Sequence, residues 1–311
     1  MAKRNRFQKQ STGNKVVVTS NDLYAIDIRP YPFMPLTYLC ALKGLKYNHY
    51  KDRFTILRHD LGLVDCPAKS FQVANAFYRP FTYALTPKGF KAVSKKYGKK
   101  ERYHALSNLW HDMIPTLIVA SMEIGAKEEQ LAFVKWGWEI NGKVPDYRVP
   151  TEFTNKKGET VMLEPDWSPV GIGEPMPLFF LIEADHNTET MRSNKTANVS
   201  LERKYRAYLK YYQEGQHKRL RMPMSFVIWA FVNRERMQDA MNLLLEIKPG
   251  GVANFLFINL PDFTTWEKYP PPTGWALRTS YQRAGHPPFN ILGELNGRAE
   301  ARANSGTEKA A

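Results

Sequence analysis

The chain has 311 residues, 43% of them hydrophobic and 13% aromatic, which is enough for two folded cores and excludes a low-complexity chain. Its formal charge is +14, and the whole excess lies in residues 1–103, which hold 20 Lys/Arg against 6 Asp/Glu; the other 208 residues are neutral. That asymmetry suits a polyanion-binding module joined to a neutral domain, with nucleic acid the first polyanion to consider and a merely solubilising basic surface the bland alternative.

Residues 1–20 read as a basic, disordered arm. The start, MAKRNRFQKQ, has no apolar region behind its charges, so no signal peptide is expected. Cys40 and Cys66 have neither CxxC nor metal-type spacing, which fits a reduced, cytoplasmic setting. The longest apolar run, near Met224–Val232, falls far short of the ~18 residues of a membrane span.

Residues 21–100 read as one small domain. LTYLCAL places Leu36, Leu39 and Leu42 on one helical face. A turn at KGLKY leads to a second helix over NHYKDRFTILRHDLGLVDC, with Asn48 as its cap and Tyr50, Phe54, Leu57 and Leu61 on its apolar face. A hairpin around FQVANAFYRPFTYAL follows, and then a helix that Thr86 caps and Pro87 begins. Helix, turn, basic helix, hairpin, helix is the order of a winged helix-turn-helix, whose second helix enters the major groove of double-stranded DNA. The candidate DNA-binding residues are Lys46, His49, Lys51, Arg53, Arg58, Arg79 and Lys88.

Residues 101–260 read as an α/β domain (α+β overall). A long apolar helix precedes strands over FVKWGWEI, VMLEPDWSPVGI and LFFLIEAD, then the helix SLERKYRAYLKYYQ, the strand MSFVIWAF, the helix RERMQDAMNLLLEI and the strand NFLFINL. That order gives a mixed sheet with helices on both faces. Residues 261–311 read as an aromatic, proline-rich extension, centred on YPPPTGW, and a disordered tail.

The oily strand LFFLIEAD ends on two acids, Glu183 and Asp185, which share one face of the strand. Asp166, after Pro165, sits beside Glu183 if the two strands form a hairpin; Asp146 in VPDYRV is the rival, 37 residues before Glu183 against 17 for Asp166. Carboxylates that close are tolerated when a divalent cation neutralises them, and Mg²⁺, with Mn²⁺ as substitute, leaves room for a phosphate. Lys204, Tyr208 and Tyr211 share a stripe of the next helix, and a lysine there serves to neutralise phosphate or orient water. His104 and His111, and Trp136 and Trp138, read as packing or surface residues. No GxSxG, Walker or dinucleotide loop is present, so triad, ATP or NAD chemistry is not expected.

The segments EPDW, FFLIEADHNTET and ERKYRAYLKYY, behind a basic domain ending LTPKG, resemble the replication-relaxation family over roughly residues 20–245. The resemblance implies a winged helix followed by a PD-(D/E)xK (restriction-endonuclease-like) domain, acting in replication or relaxation of a plasmid or other mobile element. By position, Asp166 matches the PD aspartate and Glu183 the acid of (D/E)xK, with Glu123 the additional acid of the first helix, making Asp166, Glu183 and Glu123 the metal candidates. Asp185 stands where the motif has lysine, and Lys204 is its replacement, so Asp166, Glu183, Asp185 and Lys204 are the catalytic candidates. Two DNA-based functions stay open: Mg²⁺-dependent nicking, or a catalytically silent DNA-binding initiator or regulator, in either case with a homodimer among the expected assemblies; a third reading is RNA binding, with the tyrosine-rich helix stacking bases.

Overall fold

A computed structural model describes residues 16–73, 76–98, 109–135, 147–154, 158–187, 189–192, 200–265 and 267–307. The chain forms two compact units: Met1–Ile124 with Asp262–Thr273, and Gly125–Pro261 with Gly274–Ala311. No helix among the described residues is long and apolar enough to cross a membrane.

The first unit runs α1 (Ser20–Ile26), β1 (Met34–Pro35), α2 (Leu36–Lys43), α3 (Tyr47–His59), β2 (Val64–Asp65), β3 (Thr82–Leu85) and α4 (Pro87–Tyr97). β3 lies between β1 and β2, antiparallel to both. Thr19 and Asp22 form a capping box that starts α1. Gly44, in the left-handed region at φ 64°, ends α2, and Leu36, Leu39 and Leu42 are buried as their spacing predicts. α3 differs from expectation at both ends. Lys46 occupies its N-cap position without a side-chain bond, not Asn48, and the helix stops at His59. Gly62, at φ 60°, breaks it, so that Val64–Asp65 becomes the first strand of the hairpin, earlier than expected.

The TPKG motif closes this unit. Thr86 Oγ1 accepts from the Gly89 amide and donates to the Gly62 carbonyl at 2.7 Å, while Lys88 Nζ donates to the Leu61 carbonyl at 2.8 Å. A Cβ at position 89 would lie 1.9 Å from the Leu63 oxygen, so only glycine lets α4 pack this close to β2.

Segment 262–273 belongs to this first unit as a strap, rather than to a C-terminal extension. Tyr38 donates to the Pro270 carbonyl at 2.9 Å and Ser121 to that of Thr273 at 2.7 Å. The buried Arg79 donates to the carbonyls of Thr265 and Glu267, with its guanidinium over the rings of Trp110 and Tyr269.

A 20-residue helix, α5 (Leu109–Glu128), leads into the second unit. There follow β4 (Phe133–Lys135), β5 (Val149–Thr154), β6 (Thr160–Leu163), β7 (Trp167–Ile172), β8 (Leu178–Asp185), α6 (Leu201–Gln213), α7 (Gln216–Arg219), β9 (Ser225–Phe231), α8 (Arg234–Ile247) and β10 (Phe255–Asn259). Beyond the strap come α9 (Trp275–Arg278), β11 (Ser280–Arg283), β12 (His286–Asn290) and α10 (Ile291–Thr307). Seven strands make one mixed sheet in the order β12-β11-β10-β9-β8-β7-β4. β8, β9 and β10 are parallel, and the other neighbours antiparallel.

Two expectations are corrected. VMLEPDWSPVGI is two strands: β6 pairs with β5 in a separate hairpin, and Pro165 separates it from β7, since proline cannot donate to a ladder. The supposed extension contributes β11 and β12 to the main sheet and the supposed tail continues as a helix to Thr307, so residues 274–307 complete the unit. β8 and β9 are buried at every position, as central strands covered on both faces must be. Tyr205, Tyr208, Trp229, Phe231, Leu244, Phe255 and Phe257 form part of the core that α6 and α8 make against the sheet.

Candidate functional site

The candidate DNA-binding residues separate into two groups. Lys46, at the N-cap of α3, and His49 and Lys51 within it are exposed, together with Asp52 and Thr55, and Lys88 is exposed on α4. The three arginines serve the fold. Arg53 grips Asp22 through Nε at 2.7 Å and Nη2 at 2.5 Å, tying α3 to the capping box of α1. Arg58 is buried, with its Nε 3.0 Å from Asp65 and its guanidinium over Phe71 and Phe81. Arg79 holds the strap. Helical spacing placed Arg53 and Arg58 on a basic face; it carries no information about which acids or rings the fold brings against them.

The acids of the second unit do converge. Trp167 pairs with Ile182 across β7 and β8, which sets the preceding Asp166 at the strand end, where its Oδ2 accepts from the Ala184 amide at 2.7 Å. Glu183, 1% exposed, has both oxygens engaged: Lys204 Nζ donates to Oε2 at 2.7 Å and Tyr208 to Oε1 at 2.6 Å. Those two donors stand one turn apart on α6, so one helical stripe delivers both. Tyr208, on the stripe that Lys204 begins, therefore belongs to the site.

Glu189 and Arg236 were not expected. Lys204 Nζ lies 2.6 Å from Glu189 Oε1. Arg236, at the start of α8, bonds Asp185 Oδ2 through Nε at 2.7 Å and also donates to the Glu189 carbonyl. Thr190 bridges to Ser200, the cap of α6, which brings this part of the loop beside the helix that carries Lys204. Glu189 is four residues beyond Asp185 in a polar loop and Arg236 lies 51 residues beyond it, so neither has a local signal. Glu123 lies in the first unit and accepts from the Tyr31 hydroxyl at 2.6 Å. His111 is a half-buried neighbour of Asp112. Asp146, His104, Trp136 and Trp138 lie outside the described residues.

The electrostatics follow from burial. Loss of water pushes the Glu183 carboxyl above its ordinary value, although Lys204 and Tyr208 act in the opposite direction. Burial raises Glu189 likewise, against the pull of Lys204. Burial alone works to lower Lys204, but Glu183, Asp166 and Glu189 together hold its ammonium well above the ordinary lysine value. The group thus sets three carboxylates around one permanent cation, while Asp185 is matched by Arg236.

This arrangement does not fit the divalent cation expected on Asp166, Glu183 and Glu123. Among the described residues no three acidic, histidine or cysteine side chains are grouped to hold a metal ion. The Lys204 ammonium stands between Glu183 and Glu189, where such an ion would find oxygens. No family model, curated protein or solved structure matches the chain.

Proposed function

We propose that the protein binds double-stranded DNA through its first unit, used as a winged helix-turn-helix, and that its second unit is a nuclease-like domain whose acidic site is held by Lys204. The observation that carries the binding half is the connectivity of the first unit: α1, β1, α2, α3, then a hairpin, with β3 between β1 and β2, Lys46 exposed at the N-cap of α3, and His49 and Lys51 exposed within it. The excess charge of the chain falls in the same region. The resemblance to the replication-relaxation family suggests that this DNA belongs to a plasmid or other mobile element. The test is duplex binding by Lys46→Ala/Lys51→Ala beside the wild type. An unchanged affinity removes α3 from the interface.

A second reading, hydrolytic nicking, is favoured by one observation. With the separate β5–β6 hairpin and the short α7 set aside, α5, β4, β7, β8, α6 and β9 follow the order helix, three antiparallel strands, helix, parallel strand, with Asp166 entering β7 and Glu183 near the end of β8. That is the order and placement expected of a PD-(D/E)xK core. Supercoiled plasmid incubated with Mg²⁺ or Mn²⁺ decides between the two. Nicked or linear product from the wild type but not from Asp166→Ala supports hydrolysis. Bound but intact plasmid supports a silent initiator or regulator.

A further inference from the structure

We propose that Lys218, Arg219 and Arg221, in the turn between α6 and β9, form a second contact surface for duplex DNA, one that grips the sugar–phosphate backbone without reading its sequence. The inference shares the DNA partner of the proposed function but rests on residues of the second unit alone. The three cations fall within four residues and are exposed, and among the described residues their side chains have no ion pair or hydrogen bond. Glu214, the acid nearest in the chain, is already engaged: Gln216 donates to its Oε2 at 2.7 Å, and Lys210 Nζ lies 3.8 Å from its Oε1. The even charge of the chain beyond residue 103 therefore conceals a local excess.

Two observations set this turn apart from a solvated basic run. It is held from inside: His217 is buried against the rings of Tyr211 and Tyr212, Met222 is fully buried, and Leu220 packs on Phe179 and Met222. The Met222 amide donates to the His217 carbonyl and the Arg221 amide to that of Lys218, both at 2.9 Å, which fixes the backbone with its three cations outward. The turn is also strained. Arg221 sits at φ 58°, a left-handed conformation that crowds a side chain and that glycine adopts freely. Three like charges held this close repel one another as well. Strain and repulsion kept in a well-packed turn mark a site whose partner brings the compensating charge. A phosphate backbone does so with a regular row of anions, and a guanidinium matches phosphate oxygens two at a time. A lipid surface fits less well, because the apolar residues of the turn face the core and leave nothing to insert. β8 and β9 run parallel, so the turn before β9 lies at the far end of the sheet from Glu183 and Asp185. Strand rise puts roughly 20 Å between the two ends, beyond the ~8 Å over which charges act through physiological salt, so those acids do not cancel its field.

The test follows binding of the full-length protein to a fluorescein-labelled duplex of arbitrary sequence between about 50 and 200 mM salt. Lys218→Ala/Arg219→Ala removes two of the cations, and Arg221→Gly removes the third while relieving its backbone. The double variant is expected to raise Kd by about tenfold or more at the lower salt, and to flatten the dependence of log affinity on log salt by up to about two. Arg221→Gly is expected to weaken binding severalfold while its melting temperature holds or rises, a combination that a merely structural role does not give. If the wild type binds, Lys46→Ala/Lys51→Ala weakens that binding and both turn variants leave it unchanged, this surface is overturned and α3 remains the DNA contact. Weakening in the turn variants alone supports this surface and removes α3 from the interface. No binding by the wild type overturns both. Attachment of the wild type to phosphatidylserine vesicles through these three residues, with DNA affinity unaltered in the variants, assigns the turn to lipid and overturns the proposal.

Discussion

Glu183 shows what one residue asks of its surroundings. A carboxylate shut from water at the end of a central strand needs a hydrogen bond on each oxygen and a compensating charge, and Lys204 and Tyr208 supply them. Tyr208→Phe removes one donor and leaves that oxygen unsatisfied, so a loss of about 1–3 kcal/mol in urea denaturation is expected. The pH dependence has a defined sign. Glu183 and Glu189 are both raised by burial, so the folded protein binds more protons than the unfolded chain above the ordinary carboxyl value of 4.5. Their contribution to stability therefore increases as pH falls from neutral toward that value. Lys204 stays protonated throughout, since its folded value lies above that of a free lysine. Urea midpoints between pH 7.5 and 5 should shift less with pH in Glu189→Gln than in the wild type. Asp22, held below its ordinary value by Arg53 and Thr19 against its burial, has the opposite sign and loses its contribution below about pH 3.8.

At the level of elements, closely packed backbones decide where the sequence tolerates change. Gly89 sits where α4 meets the carbonyl of Leu63, and Gly89→Ala forces the two apart. A loss of about 1–3 kcal/mol, the usual cost of overpacking, is expected in thermal or urea unfolding. The strap over 262–273 depends on Arg79, whose carbonyl contacts and ring stacking anchor it. Arg79→Ala should make this segment the first site of cleavage in limited proteolysis; an unaltered digestion pattern would show that Tyr38 and Ser121 suffice to hold it. Helix starts and strands were mostly legible, because caps and apolar periodicity are local. Three features were not: the early end of α3, the strand at Val64–Asp65 and the sheet-forming role of residues 280–290. The two strand features depend on partners far along the chain, Val64 on Leu85 and Phe257 on Gln282, whereas α3 is ended by the left-handed Gly62.

For the molecule as a whole, the charge excess of the first third becomes a statement about binding only once the internally used arginines are set aside. Arg53, Arg58 and Arg79 have protein partners, as does Lys88 through the Leu61 carbonyl, whereas Lys46, His49 and Lys51 face outward. If α3 contacts phosphate, log affinity falls linearly with log salt, and each lost phosphate contact makes the slope shallower by about one. Lys46→Ala/Lys51→Ala is expected to weaken binding and flatten that slope by up to two while leaving the melting temperature near that of the wild type. Arg53→Ala is expected to lower the melting temperature first, because it breaks the bridge to Asp22.

From the sequence alone came the mixed α/β class, the order of most helices and strands, the uneven charge and the meeting of Asp166, Glu183 and Lys204. These rest on short-range regularities: strand alternation, helical spacing, caps and proline. Only the tertiary structure decided that Glu189 shares Lys204, that Arg236 steadies the loop carrying it, and that three of the predicted DNA-contacting arginines are turned to the fold. Burial supplies the physical reason. A charged group withdrawn from water must find a partner wherever the fold can bring one, and that partner need not be near it in the chain.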